Sequence, residues 1–178
     1  MKLTLVRHTS VDVPRGVCYG QSDVGLRSSF PEEAAKVKAA LDGRLFDKVF
    51  TSPLSRCTRL AEACGYPDAV RDDRLKELDF GEWEMRCYDE ITDPRLQEWY
   101  ADYFNVRATG GESFADQNLR LKSFLNDLLK KPYDNVAIFA HGGILLQAML
   151  ISGIITPEQA FDSLPPYGGI VELELGSI

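Results

Sequence analysis

Val136-Ala137-Ile138-Phe139-Ala140-His141-Gly142-Gly143 is the stretch that decides the fold. Five consecutive apolar residues without alternation, entered from Asn135, read as a strand over 135–140 buried on both faces, as in the centre of a parallel sheet. His141 then emerges at the strand end, and the glycine pair leads into a largely apolar segment, 143–151, that reads as a buried helix. Near the start, Leu3-Thr4-Leu5-Val6 followed by Arg7-His8 repeats the arrangement. The chain has two histidines in all, and both follow short apolar runs. Open α/β sheets place their ligands at such strand ends. An arginine beside one imidazole and two glycines beside the other point to an anion between them.

Working outward, further strands are expected at 48–51, 69–71 and 170–175. Helices are expected at 31–41, with Pro31 at its start and Gly43 past its end, and at 54–64, stopped near Gly65. A long amphipathic helix is expected at 114–129, where Ser113 and Asp116 resemble a capping pair. Thr156-Pro157 starts a short one. Along 170–175, Val171, Leu173 and Leu175 alternate with Glu172 and Glu174, the pattern of a half-exposed edge strand. Together these predict an α/β three-layer sandwich: a mostly parallel central sheet with an antiparallel edge strand and helices on both faces. One domain over 1–178 is expected. The irregular stretch 84–112 reads as a cap over the site, with at least one helix around 96–104.

A chain of 178 residues is long enough for a sizeable core, burying roughly 70% of the unfolded-chain surface. The formal net charge of −7, with no basic run, argues against nucleic-acid binding and against a polybasic membrane patch. No stretch approaches the ~18 apolar residues of a membrane span and the start lacks a signal-peptide pattern, so a cytoplasmic location is expected. Cys18, Cys57, Cys64 and Cys87 have no C-x-x-C spacing and read as buried or reduced thiols. No compact Cys/His set suggests a metal, and no cofactor is implied.

Four blocks carry the chemistry: Leu5-Val6-Arg7-His8, Thr51-Ser52-Pro53-Leu54-Ser55-Arg56, Leu75-Lys76-Glu77-Leu78-Asp79-Phe80-Gly81-Glu82-Trp83-Glu84 and His141-Gly142-Gly143. In this order they resemble the histidine phosphatase superfamily, the group of cofactor-dependent phosphoglycerate mutases and many small phosphatases. His8 can attack phosphorus through a neutral ring nitrogen, giving a phosphohistidine. Arg7, Arg56 and a protonated His141 are expected around the phosphoryl oxygens, with the N–H groups of Gly142 and Gly143 adding a helix N-terminus. Arg59 competes for the role of Arg56. The resemblance makes Glu77 the proton donor to the leaving group, although Asp79, Glu82 and Glu84 crowd the same segment. Trp83 and Trp99 read as core or cap packing rather than as substrate stacking.

Gly16-Val17-Cys18-Tyr19-Gly20-Gln21-Ser22-Asp23-Val24 resembles the α-ribazole-5′-phosphate phosphatases of cobalamin assembly. That likeness implies a metal-independent phosphomonoesterase acting on a small phosphorylated metabolite, with Tyr19, Gln21 and Ser22 bordering the substrate. Broad or sugar-phosphate phosphatases and small mutases would use the same catalytic set. A phosphate-recognising module without turnover is the alternative of another class. Three departures from the family pattern stand out: Thr9-Ser10 replaces a usual Gly-Glu, Pro14 a phosphate-binding Asn, and Phe30 a frequent Gly. A residue of the 19–22 loop, or a hydroxyl from Thr9 or Ser10, is the expected replacement donor. Exposed apolar surface on the edge strand or around Trp99 suggests a possible homodimer.

Overall fold

The computed structural model of the chain describes residues 1–176; Ser177 and Ile178, the end of the expected 1–178 domain, lie outside the described residues. Five strands form one sheet: β1 (Lys2–Arg7), β2 (Lys48–Thr51), β3 (Val70–Arg71), β4 (Asn135–Ala140) and β5 (Ile170–Glu174), in the order β3-β2-β4-β1-β5. All neighbours run parallel except β1 and β5, which pair antiparallel. The helices are α1 (Phe30–Ala40), α2 (Ser55–Ala63), α3 (Arg95–Ala101), α4 (Phe114–Leu129) and α5 (Gly142–Ile151).

The unbroken apolar character of β4 follows from its place in the middle of the sheet. Val136, Ile138 and Ala140 point to one face, where Leu121, Leu125 and Leu128 of α4 and Ile144, Leu145 and Ala148 of α5 cover them. Ala137 and Phe139 point to the other, against Ala34 and Val37 of α1 and Cys57, Leu60 and Ala61 of α2. Side chains that alternate across a strand thus feed two cores, one per face, and give the expected three layers. Ser113 begins α4 with a reciprocal cap, its hydroxyl and amide each bonded to Asp116 across the first turn. The short β3 is exposed at both residues and adds little to either core.

Register sets the site. Arg7 of β1 lies opposite Ala140 of β4, and Thr51 of β2 opposite Phe139. His8 and His141 therefore leave neighbouring strands at one level, and Ser52 leaves the third strand one residue below them. Backbone bonds extend the ladder one step, His8 N–H donating to Ala140 O at 3.0 Å and Ser52 N–H to Phe139 O at 2.8 Å.

Residues 84–112 contain one short 3-10 turn (Tyr88–Glu90) and α3. The helix stops at Ala101, earlier than the expected 104, because the Asp102 carboxylate turns to accept from the Asn105 backbone and side-chain amides. The two ends of the segment meet: Glu82 N–H donates to Thr109 O at 2.9 Å and Glu112 N–H to Asp79 O at 2.8 Å. That crossing requires glycine on both sides. A Cβ on Gly81, at φ +53°, would lie 2.3 Å from Thr109 O, and one on Gly111 would lie 2.3 Å from Asp79 O. Between these ends Cys18, Trp83, Ile91, Leu96 and Ala108 form a separate small core. Trp83 is buried in it, its indole N–H donating to Asp93 at 2.9 Å. Among the described residues no helix is long and apolar enough to cross a membrane.

Candidate active site

His8 is 2% exposed and His141 fully buried, their rings 5.2 Å apart edge to face. The Nδ1 of His8 lies 2.7 Å from the carbonyl oxygen of Thr9. A carbonyl only accepts, so Nδ1 carries the hydrogen and Nε2 keeps its lone pair. Burial, then the charge of Arg56, and more weakly Arg7, push the His8 imidazole down to about 3, against the raising effect of the Thr9 bond. The ring is therefore neutral at working pH, as a nucleophile must be.

His141 departs from expectation. Complete burial, followed by the charges of Arg56, His8, Arg120 and Arg7, pushes it well below the usual histidine range. That direction opposes the protonated form expected of it. Its Nε2 is 2.7 Å from Ser52 Oγ and 3.5 Å from Cys57 Sγ. The thiol is itself pushed up by burial and is inert as a nucleophile.

Arg7 donates through Nη1 to Pro165 O and lies over the Tyr167 ring, 4.2 Å from its centroid, while its buried Nε has no partner in the protein. Arg56 is fully buried on α2. Its Nη1 donates to Ser22 O at 2.8 Å and its Nη2 to Gly20 O, again leaving Nε without a protein partner. Arg59 is exposed and packs over Phe30, so it does not compete.

Glu77 is the carboxylate that reaches the histidine end. Its Oε2 accepts from Gly143 N–H at 3.1 Å, at the start of α5. Of its rivals, Asp79 caps Gly81 N–H at 2.8 Å, Glu82 is exposed, and Glu84 is turned to the 20–22 loop. Gly143 has no alternative residue: an added Cβ would meet Glu77 Oε1 at 2.3 Å.

Arg7, His8 and Glu77 open on a cleft of about 330 Å³, while Arg56 and His141 are fully buried and do not line it. Arg7, His8, Glu77, Gly142 and Gly143 line one end; the remaining wall is apolar or aromatic, including Phe80, Tyr88, Trp99, Phe114 and Leu146. Trp99 is thus a wall residue as well as a packing one, ringed by Phe80 at 5.9 Å and Trp83 at 6.2 Å. Tyr19 also lines the cleft, its hydroxyl 2.9 Å from that of Tyr167, which lies 5.6 Å from the His8 ring.

Gln21 and Ser22 are not on the cleft wall, a correction to the expectation. The Ser22 hydroxyl and amide donate to Glu84, as do the amides of Gly20 and Gln21, and the Gln21 side chain donates to Glu77 O at 3.1 Å. On the other side Asp23 accepts from the amide and hydroxyl of Ser55 at the start of α2. The loop serves by presenting two carbonyls to Arg56. Thr9 is likewise fully buried behind His8, its hydroxyl without a partner, and contributes its carbonyl. Pro14 lies away from the cleft.

Sequence reasoning missed Ser52 as the partner of His141, Tyr167 as the plate over Arg7 and His8, and Arg120. The last donates to the carbonyls of Arg74, Lys76 and Glu77 and pairs with Glu112, locking the segment that carries the acid. Ser52 stood in a quoted block, and the Pro165-Pro166-Tyr167-Gly168-Gly169 turn was a visible signal for the plate. Among the described residues no group of three or more His, Cys, Asp or Glu side chains could hold a metal ion.

A neutral strand-end imidazole, flanked by two guanidinium groups and a carboxylate at a helix N-terminus, is built for phosphoryl transfer through histidine. The chain belongs to the histidine phosphatase superfamily (branch 1), whose model matches residues 3–176, and it is a phosphatase. It is 27% identical over 157 residues, 84% of this chain and 74% of the relative, to phosphoserine phosphatase 1 of Hydrogenobacter thermophilus. It is 28% identical over 169 residues, 90% of this chain and 82% of the relative, to the adenosylcobalamin/alpha-ribazole phosphatase of Salmonella typhimurium. The crystal structure of the alpha-ribazole phosphatase from Shigella flexneri superposes with a TM-score of 0.88 at 25% identity, covering 99% of this chain and 92% of that one. Other relatives bear the name probable phosphoglycerate mutase.

Proposed function

We propose that the chain hydrolyses α-ribazole 5′-phosphate in the assembly of the cobalamin nucleotide loop, through a phosphohistidine at His8. His8 Nε2 attacks phosphorus in line as the ester P–O bond breaks. Glu77 gives its proton to the departing ribose oxygen, and α-ribazole leaves. Water then attacks phospho-His8, surrendering a proton to Glu77, and the N–P bond breaks to release phosphate. Arg7, the Nε of Arg56 and the Gly142 N–H at the start of α5 hold the charge on the phosphoryl oxygens throughout.

The observation that carries the choice of substrate is the wall of the cleft away from His8. Phosphoserine brings an ammonium and a carboxylate, and phosphoglycerate a carboxylate, each needing a complementary charge where it binds. The cleft has none beyond Arg7 and Glu77 at the phosphate end, and its other lining is apolar and aromatic. Such a wall suits a phosphate ester with a broad flat ring system. Alpha-ribazole phosphatases among the relatives support the same reading.

The test is phosphate release from α-ribazole 5′-phosphate beside sugar phosphates, nucleotides, phosphoserine and phosphoglycerates, with His8→Ala as control. A preference for the ribazole of at least about tenfold in kcat/KM, the size of one good aromatic contact, is expected. Even turnover across the panel makes the chain a broad phosphatase. No His8-dependent turnover on any ester leaves the phosphate-recognising module.

A further inference from the structure

Gln117 of α4 is fully buried, yet its side chain is neither apolar nor satisfied. Its Nε2 donates to Glu77 Oε1 at 2.9 Å, while its own Oε1 has no partner in the protein. A buried amide oxygen left unpaired is unfavourable, so the hydrogen bond to Glu77 is the interaction this residue is held for. The reverse orientation would aim a carbonyl oxygen at a carboxylate. Gly143 makes room for the pair, since an added Cβ there would lie 2.9 Å from Gln117 Oε1 and 3.0 Å from Nε2.

Counting donors on Glu77 gives the consequence. Oε1 accepts from Gln117 Nε2 and from Leu78 N–H, both at 2.9 Å, whereas Oε2 accepts from Gly143 N–H alone, at 3.1 Å. A carboxylate oxygen has two acceptor sites. Those of Oε1 are filled, so one site remains, on Oε2.

We propose that Gln117 is a positioning residue that confines the transferable proton of Glu77 to Oε2, the oxygen at the N-terminus of α5. In the acid step the Oε2–H bond breaks, its proton passes to the ester oxygen as the P–O bond breaks and the His8 N–P bond forms, and the carboxylate left behind keeps all three donors. Without Gln117 the proton distributes over both oxygens, and half of its positions face away from the leaving group. The inference rests on the proposed role of Glu77 as acid, not on the identity of the substrate.

The test compares two phosphate esters on the full-length enzyme. 2-Phenylethyl phosphate has an apolar body for the cleft and an alkoxide leaving group that needs a proton; p-nitrophenyl phosphate releases a weakly basic phenolate that does not. Gln117→Met should lower kcat/KM about tenfold for the alkyl ester, a fraction of the usual general-acid contribution, and change the aryl ester less than about twofold. In a Glu77→Ala background the same substitution should have no further effect. Equal losses on both esters, no loss on either, or a loss that persists in the Glu77→Ala background would each overturn the proposal. Should Gln117→Met fail to show a cooperative thermal transition, Gln117→Leu, close in volume and without the donor, is read in the same two assays. Full alkyl-ester turnover by Glu77→Ala overturns the acid role itself, and this proposal with it, whereas failure of Gln117→Met alone leaves that role standing.

Discussion

The two ends of the cleft are built by different means. At the phosphate end His8, Ser52 and His141 leave adjacent strands in fixed register, and Arg56 and Glu77 are held by backbone carbonyls and amides. At the far end Trp99, on the seven-residue helix α3, meets Phe80, Trp83 and Tyr103 edge to face, with the indole N–H buried and unpartnered. One end is positioned by hydrogen bonds that tolerate little displacement. The other is positioned by aromatic packing, which has shape but less direction. The proposed function assigns reactivity to the first and selectivity to the second, so that each should be open to perturbation without the other.

The largest expected effect is at the nucleophile. His8→Ala should cut turnover of every ester by at least about 10⁴-fold, as loss of a covalent nucleophile does elsewhere, while binding of the apolar body survives. Steady-state rates and titration with the dephosphorylated product check both halves. Next, Glu77→Ala should lower kcat/KM for alkyl esters by about 10²- to 10³-fold and for aryl esters much less. A uniform fall across leaving groups would erase the division of labour at the phosphate end. At the opposite end, Trp99→Ala should raise KM for α-ribazole 5′-phosphate about tenfold, the worth of one aromatic contact, and leave kcat and the kinetics of ribose 5-phosphate nearly unchanged. If both substrates lose equally, the wall does not select.

A smaller effect concerns acid. The folded state holds His8 at about 3 and His141 well below its ordinary value of 6.5, so the unfolded chain binds more protons below that value. Stability is therefore fully present above about pH 6.5 and falls as pH drops from there toward 3. Urea midpoints between pH 7 and 4 check this, and His8→Gln should flatten the decline. An unchanged slope would mean that burial at the phosphate end imposes no charge penalty.

The same contrast explains what could be read from sequence. The central strands were legible because burial on both faces leaves an unbroken apolar run, and β4 was read to the residue. His8, His141, Arg7 and Arg56 were legible because each sits at or just beyond the end of such a run. Gln21 and Ser22 were misplaced because their direction depends on Glu84, more than sixty residues away, and no local pattern reports that the loop is pulled from behind. Ser52, Gln117 and Tyr167 were missed for a related reason. Ser52 acts on a histidine 89 residues distant and Gln117 on a glutamate 40 residues distant, and a hydroxyl or an amide in a helix pattern is ordinarily taken as surface. The Trp99 wall needed coordinates because aromatic residues at irregular spacing pack equally well into a core.

The crossing of Gly81 and Gly111 has a bearing on how such an enzyme changes over generations. A segment whose two ends are pinned together is a cassette: insertions or replacements within it, away from Glu84 and its hold on the 20–22 loop, add a closure cost that grows only with the logarithm of length. New substrate preferences can then be sampled between 89 and 110 while the inherited reaction is left intact. The seam at those two glycines separates the part of the molecule that is free to drift from the part that is not.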